Sequence, residues 1–334
     1  MEQHLICMAP FTEVEISEDG NVNCCCSTYT DGYFFGNIFR QSFDEIWNGP
    51  RAKKFRQSII DGKYNYCNRE ICNFGRLDPT KETPSLNAPY PRFVTIAYDK
   101  TCNLMCTTCR DHLIREARYS KEELNENIEK YYLSICKNAE ELVLNSIGEC
   151  LISKHSRALI KKTAEKYPDI KFNIMTNGIA CNKIVMENLG LLNKISTLQV
   201  SVHAATEETY NKITRTGNFK CVMKNLKWIA EQHKQGIFPI VLINFVVHSL
   251  NYKEMPAFVR LAQELDVLAS FWELQSWAGE TEMLRQHEKY AVFEKQHPEH
   301  QEFLKVLKNP IFDDTDHCVL NSLFLELREE ALVM

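Results

Sequence analysis

The 334-residue chain contains no apolar run near the roughly 18 to 20 residues that a membrane-spanning helix requires. Its first residues, MEQHLICMAPF, lack the basic stretch and long apolar core of an export signal. Excess positive charge is absent too: 39 Lys and Arg against 44 Asp and Glu leave −5 at neutral pH. That balance argues against a nucleic-acid partner held by phosphate neutralisation. No internal repeat of roughly 20 to 50 residues is present, and no low-complexity tract, which sets repeat architectures aside. What remains is a globular cytoplasmic enzyme, one domain or one domain plus a small appendage.

Cysteine is what the chain has in abundance. There are 14, and nine fall within the first 109 residues: Cys7, Cys24, Cys25, Cys26, Cys67, Cys72, Cys102, Cys106 and Cys109. Without an export signal a disulfide framework is not expected, so clustered thiols read as metal or redox ligands. Cys136, Cys150, Cys181, Cys221 and Cys318 stand singly and read as small buried apolar residues.

Patterning divides the chain into four stretches. Residues 1–77 form a small module with a hairpin over Thr12 to Cys25 around Glu18-Asp19-Gly20, then short helices from Phe43 and from Lys53. So small a unit buries little core, and a metal staple offsets that deficit. Residues 78–92 carry four prolines and read as an extended connector. Residues 93–280 alternate strands with helices. The strands are Phe93 to Tyr98, Glu141 to Asn145, Lys171 to Met175, Thr197 to Val202, Pro239 to Val247 and Ala269 to Leu274. Six such units predict parallel pairing with right-handed crossovers, as an open doubly wound sheet or a partial barrel. Residues 281–334 are polar and helical in pattern and predict a covering C-terminal tail.

Cys102, Cys106 and Cys109 form a CxxxCxxC spacing just after the first of these strands, at the strand end where parallel α/β folds place their sites. Three thiolates on one tight loop suit three corners of an iron-sulfur cubane with the fourth iron open. A zinc knuckle completed by a distant His or Cys uses the same spacing.

This triplet resembles the signature of the radical S-adenosylmethionine (radical SAM) superfamily, and further landmarks of that family follow in order. Leu144-Asn145-Ser146-Ile147-Gly148-Glu149 resembles the GGE-type motif, Met175-Thr176-Asn177-Gly178 the TNG strand end, and Ser201-Val202-His203-Ala204 with Tyr210, Ile213, Arg215 and Gly217 the segment after the fourth strand. The resemblance implies a partial (β/α)6 TIM-like barrel. It also implies a [4Fe–4S] cluster on Cys102, Cys106 and Cys109 whose electron cleaves SAM to a 5'-deoxyadenosyl radical. SAM contacts are implied at Glu149, Asn177, Ser201, His203, Arg215 and Asn244, Glu149 by a charge-assisted bond to the methionyl ammonium. Two positions depart from the family pattern: Thr108 replaces the usual aromatic before the third cysteine, and His203 the usual Asp.

The N-terminal module, with Gly20, Gly36-Asn37 and Phe43-Asp44-Glu45-Ile46-Trp47-Asn48 between its cysteines, resembles a SPASM or twitch domain placed before the barrel. That resemblance implies an auxiliary [4Fe–4S] cluster on Cys7, Cys25, Cys67 and Cys72, with a zinc ribbon as the rival metal site. Cys24 and Cys26 remain, as packing residues or, for Cys26, as a catalytic thiol that donates hydrogen to substrate.

The resemblance implies a radical enzyme acting on a peptide or protein, as SPASM-type maturases do, with a flavodoxin or ferredoxin-type protein as electron donor. The rival enzyme is a dehydrogenase or epimerase of a sugar or other small metabolite. A non-catalytic iron-sulfur carrier is a third class, and Glu149, Asn177, Ser201 and Arg215 count against it because a carrier needs no SAM contacts.

Overall fold

A computed structural model describes residues 4–30, 32–69, 72, 77–80, 84–97, 99–115, 120–144, 148–275 and 281–333. They fall into two compact units, residues 1–100 with 117–173, and residues 101–116 with 174–334.

The first unit begins with β1 (His4–Cys7), the short helix α1 (Ala9–Thr12) and the strands β2 (Glu13–Ser17), β3 (Asn21–Asn23) and β4 (Gly36–Asn37). The expected hairpin is present: β2 pairs antiparallel with β3, and β3 with β4. Its turn is built from short polar side chains, as Ser17 Oγ donates to Asp19 Oδ1 at 2.6 Å and Asn21 Nδ2 to Asp19 Oδ2 at 2.7 Å. Gly20 has φ +78°, a conformation that favours glycine. Asn37 Nδ2 reaches Asp19 O at 2.8 Å and Asn21 Oδ1 at 3.0 Å, tying the third strand to that turn.

Helices α2 (Phe43–Trp47) and α3 (Pro50–Ile60) cover this hairpin. A capping box starts α2: Glu45 N donates to Ser42 Oγ, and Ser42 N to Glu45 Oε2 at 3.0 Å, so two backbone donors at the helix start are satisfied. Gly36 is required because a Cβ there would lie 2.8 Å from Ile46 Cγ1. The Gly-Asn and Glu-Ile-Trp-Asn pieces of the motif are therefore one packing unit. Arg56 of α3, fully buried, donates to Pro10 O at 2.8 Å, Asn48 Oδ1 at 2.9 Å and Leu86 O at 3.0 Å, with Trp47 under its guanidinium.

The proline-rich connector is paired at its start, where β5 (Leu77–Thr80) runs antiparallel to β1. Next come β6 (Phe93–Ala97), α4 (Lys121–Asn127), β7 (Glu141–Leu144) and α5 (Lys154–Lys166). β6 pairs parallel with β7 and, on its other edge, parallel with β2. The module's hairpin thus continues the sheet of the first barrel strand. Val94 and Ile96 point into the core while Thr95 is half-buried, the alternation that β-branched residues favour.

Strand β8 (Lys171–Thr176) begins in the first unit and ends in the second. The second unit continues with α6 (Lys183–Asn188), β9 (Ile195–Ser201), α7 (Glu207–Thr214), α8 (Phe219–Lys234), β10 (Ile240–Val247), α9 (Met255–Leu265) and β11 (Leu268–Glu273). β9, β10 and β11 pair in parallel with register Asn244 to Ser201 and Asn244 to Ser270. Helix α9 buries Met255, Phe258, Val259, Ala262 and Leu265, the i, i+3, i+4, i+7 stripe of a helix lying on a sheet. Phe258 meets Phe245 at 4.8 Å between ring centroids and Phe271 at 5.9 Å. Each buried ring contributes about 1.5 to 3 kcal/mol.

The C-terminal stretch differs from its helical expectation. Helices α10 (Glu282–Arg285) and α11 (His300–Leu307) are followed by β12 (Cys318–Leu320), which pairs parallel with β11, and then by α12 (Ser322–Val333). Three residues are too few to show a period of two, which is why patterning reads past β12. Among the described residues no helix is long and apolar enough to cross a membrane.

Candidate functional site

The loop carrying Cys102, Cys106 and Cys109 lies in the second unit and is held by the C-terminus of α7. A helix leaves its last carbonyls without partners, and two of them serve here: Thr107 N donates to Ile213 O at 2.8 Å and Met105 N to Thr214 O at 3.4 Å. Thr216 Oγ1 adds a bond to Asn103 O at 3.2 Å. Gly217 permits this close packing, since a Cβ there would stand 2.4 Å from Thr214 Oγ1 and 2.5 Å from the Tyr210 ring. Half of the segment from Tyr210 to Gly217 is thus scaffold for the cysteine loop. Arg215, the exposed C-cap of α7, has φ +58°, a region non-glycine residues seldom occupy.

The three thiols are grouped. Burial pushes Cys106 up to about 12, and negative charge on Cys102 and Cys109 adds to the rise. Cys109 N and Arg110 N both donate to Cys106 O at 3.0 Å, closing the loop into a turn. Arg110 Nε and Nη2 each lie 3.3 Å from Cys109 Sγ. Burial opposes the Arg110 charge, and the thiolates of Cys109, Cys102 and Cys106 outweigh it. Sequence reasoning passed over Arg110, although a cation directly after the third cysteine was there to be read.

Asn177 follows β8 and joins this group. Its Nδ2 donates to Asn103 Oδ1 at 2.8 Å and lies 4.0 Å from Cys102 Sγ, while its Oδ1 accepts from Ile179 N at 3.1 Å. Gly178 has φ +80°, and a Cβ on it would meet Val200 Cγ1 at 2.8 Å.

Ser201, His203 and Asn244 gather at the end of β9, where Asn244, in the middle of β10, pairs with Ser201. Asn244 O accepts from Val202 N at 3.2 Å and His203 N at 3.1 Å, and Asn244 Nδ2 donates to Gln199 Oε1 at 3.3 Å. Asn244 Oδ1 is buried with no hydrogen-bond partner among the described residues, an acceptor left for a ligand's donor. His203 sits at φ +62° and accepts from Val246 N through Nδ1 at 3.1 Å. Burial lowers its pKa to about 4, so the ring is neutral with its proton on Nε2. His248, unremarked in sequence, is a second neutral ring, lowered to about 3 by burial and by His203.

Glu149 belongs to the first unit and is buried; its Oε1 accepts from Leu151 N at 3.2 Å, and its backbone oxygen accepts from Ser153 N at 3.0 Å. Residues 145–147 of its motif lie outside the described residues.

The N-terminal cysteines also form a group in the first unit. Burial raises Cys7 to about 11 and Cys67 to about 12. Cys25 and Cys72 act on both, and Cys7 acts on Cys67. These four are the expected auxiliary ligands. Cys24 is fully buried and raised by burial and by its bond to Cys25, whose sulfur is 3.8 Å away. Burial and the Glu15 carboxylate raise Cys26, whose Sγ lies 3.0 Å from Thr28 Oγ1. Among the described residues no three ligating side chains converge on a single metal position. A cubane takes one thiolate per iron, so grouped, all-sulfur sets of three and four fit such clusters.

Comparison with known proteins gives a match for each of the two cysteine-bearing regions. Residues 99–262 match the Radical SAM superfamily, and residues 7–73 match SPASM, an iron-sulfur cluster-binding domain. Over 180 residues the chain is 28% identical to a probable GTP 3',8-cyclase of Saccharolobus islandicus, covering 52% of this chain and 53% of that protein. A GTP 3',8-cyclase of Petrotoga mobilis is 25% identical over 201 residues, 58% of each chain. The chain thus spans little more than half the length of these curated relatives. Among solved structures, Streptococcus suis SuiB bound to precursor peptide SuiA superposes with TM-score 0.51 at 14% identity, over 98% of this chain and 75% of that one. At that identity the likeness is one of fold, the α/β partial TIM-like barrel.

Proposed function

Taking as premise that this chain is a radical SAM enzyme with a SPASM-type domain, we propose that it removes hydrogen from a side chain of a peptide or protein in a maturase-type modification. The observation that carries this reading is the all-cysteine group of the N-terminal module, a second site apart from the SAM-cleaving triplet. The fold likeness to SuiB, a protein seen with its precursor peptide, supports it.

When bound, the reduced cluster supplies one electron to the sulfonium of SAM, whose cleavage gives the carbon radical that takes hydrogen from substrate. Cys102, Cys106 and Cys109 hold that cluster and leave one iron open for SAM. Glu149 takes the methionyl ammonium, and Arg215 the carboxylate. Asn244 Oδ1 accepts a ribose hydroxyl beside Ser201, and His203, neutral, offers its Nε2–H to the same region. Asn177 keeps the cysteine loop in register through Asn103. Cys7, Cys25, Cys67 and Cys72 hold the auxiliary cluster. Cys26, next to Cys25 in the chain, would donate hydrogen to a substrate radical, and burial and the Glu15 carboxylate favour its thiol form. A flavodoxin or ferredoxin-type protein supplies the electron.

The GTP 3',8-cyclase relatives favour a second reading, in which the substrate is a small metabolite. Deuterium transfer separates the two. Anaerobic enzyme with SAM and dithionite is given a peptide mixture from deuterium-grown cells, or deuterated GTP, and 5'-deoxyadenosine is weighed by mass spectrometry. The peptide reading predicts deuterium from the peptide mixture alone; deuterium from GTP alone overturns it.

A further inference from the structure

Arg110 stands apart from the SAM contacts and the cluster ligands, yet it touches one of those ligands. Two of its N–H groups converge on Cys109 Sγ at 3.3 Å. Its backbone N–H is bound to Cys106 O at 3.0 Å, so its place in the loop is fixed by the same turn that spaces the cysteines. The side chain is buried, whereas Cys109 is the exposed cysteine of the three. The guanidinium therefore meets the sulfur of the most exposed of the three cysteines from the buried side of the loop.

We propose that Arg110 is a positioning residue that raises the reduction potential of the cluster bound by Cys102, Cys106 and Cys109; the inference rests on the assignment of that cluster above. Adding one electron makes a thiolate-bound cluster more negative, so a fixed positive charge stabilises the reduced form more than the oxidised one. Hydrogen bonds to a ligand sulfur act in the same direction by withdrawing electron density from it. Arg110 supplies both, and the forked guanidinium supplies the two bonds in a geometry that lysine cannot reproduce. Reducing this cluster is the step that precedes SAM cleavage, so Arg110 brings the cluster within reach of a protein electron donor.

The test is a mediated dithionite titration of the anaerobic, fully reconstituted chain, followed by electron paramagnetic resonance. The signal that changes when SAM is added marks the open-iron cluster, and the other marks the auxiliary one. Arg110→Gln is expected to lower the reduced-to-oxidised ratio of the SAM-responsive cluster about tenfold at a given potential. For one electron that is about 59 mV towards negative. Arg110→Lys, which keeps the charge and loses the fork, is expected to shift it by less, and the auxiliary signal is expected to stay in place. An unchanged midpoint in Arg110→Gln would overturn the proposal, as would equal shifts in both signals. Loss of the barrel cluster from both variants would overturn it too, since Arg110 would then only shape the loop. A wild-type chain with no SAM-responsive signal is a different failure, that of the cluster assignment itself.

Discussion

His248 is held neutral by its surroundings. The ring is fully buried, its Nδ1 accepts from Leu250 N at 3.2 Å, and its pKa falls from 6.5 to about 3. In the unfolded chain the same ring takes a proton below about pH 6.5. Between the two pKa values the unfolded state binds more protons, so stability falls as pH falls through that window. At pH 5.5 this one group costs on the order of 1 kcal/mol relative to pH 7.5. His248→Asn should therefore lose less stability than wild type between pH 7.5 and 5.5, read as the drop in urea midpoint; equal drops would mean that His248 is not held neutral. Its sequence setting, one histidine after an apolar strand, gives no hint of this. The cysteines behave oppositely, because ligand spacing within one loop is itself the chemistry. Cys102, Cys106 and Cys109 are legible without a structure, whereas the open acceptor of Asn244 needs the register of β9 on β10 to be seen.

The cysteine loop depends on α7 as much as on its own residues. Carbonyls of Ile213 and Thr214 take its N–H groups, and Gly217 leaves room for Thr214 and Tyr210. Gly217→Ala forces a methyl group into that packing, a cost of about 1 to 3 kcal/mol for an overfilled site. The expected result is a lower urea midpoint together with loss of iron from the barrel cluster and retention of the auxiliary iron. Unchanged barrel iron would show that the α7 terminus does not hold the loop. Most elements were legible from patterning: the six barrel strands stand within two residues of their expected starts, and α9 shows its full apolar stripe. β12 was not, and neither was the parallel pairing of β2 with β6, because both depend on partners distant in the chain. Residues 121–136, helical in pattern, divide into α4, a π turn at Ile128–Tyr132 and a 3-10 turn at Ile135–Asn138, a subdivision that a single apolar period does not reveal.

The proposed function gives the molecule's two cysteine groups different duties. SPASM, at residues 7–73, precedes the radical SAM domain, at residues 99–262, which is the order read from the sequence. On the assignment proposed above, Cys7, Cys25, Cys67 and Cys72 are a four-ligand set, closed to further coordination, and Cys102, Cys106 and Cys109 a three-ligand set with one position to spare. SAM cleavage should accordingly need only the second. Because metal binding contributes to folding in such modules, the comparison is made on soluble variants whose remaining iron, about four per chain, has been counted. The deciding measurement is 5'-deoxyadenosine released with dithionite by Cys106→Ala and by Cys67→Ala/Cys72→Ala. The division of labour predicts none from Cys106→Ala and continued release from the double variant; release from Cys106→Ala, or none from a double variant that keeps its barrel cluster, would contradict it.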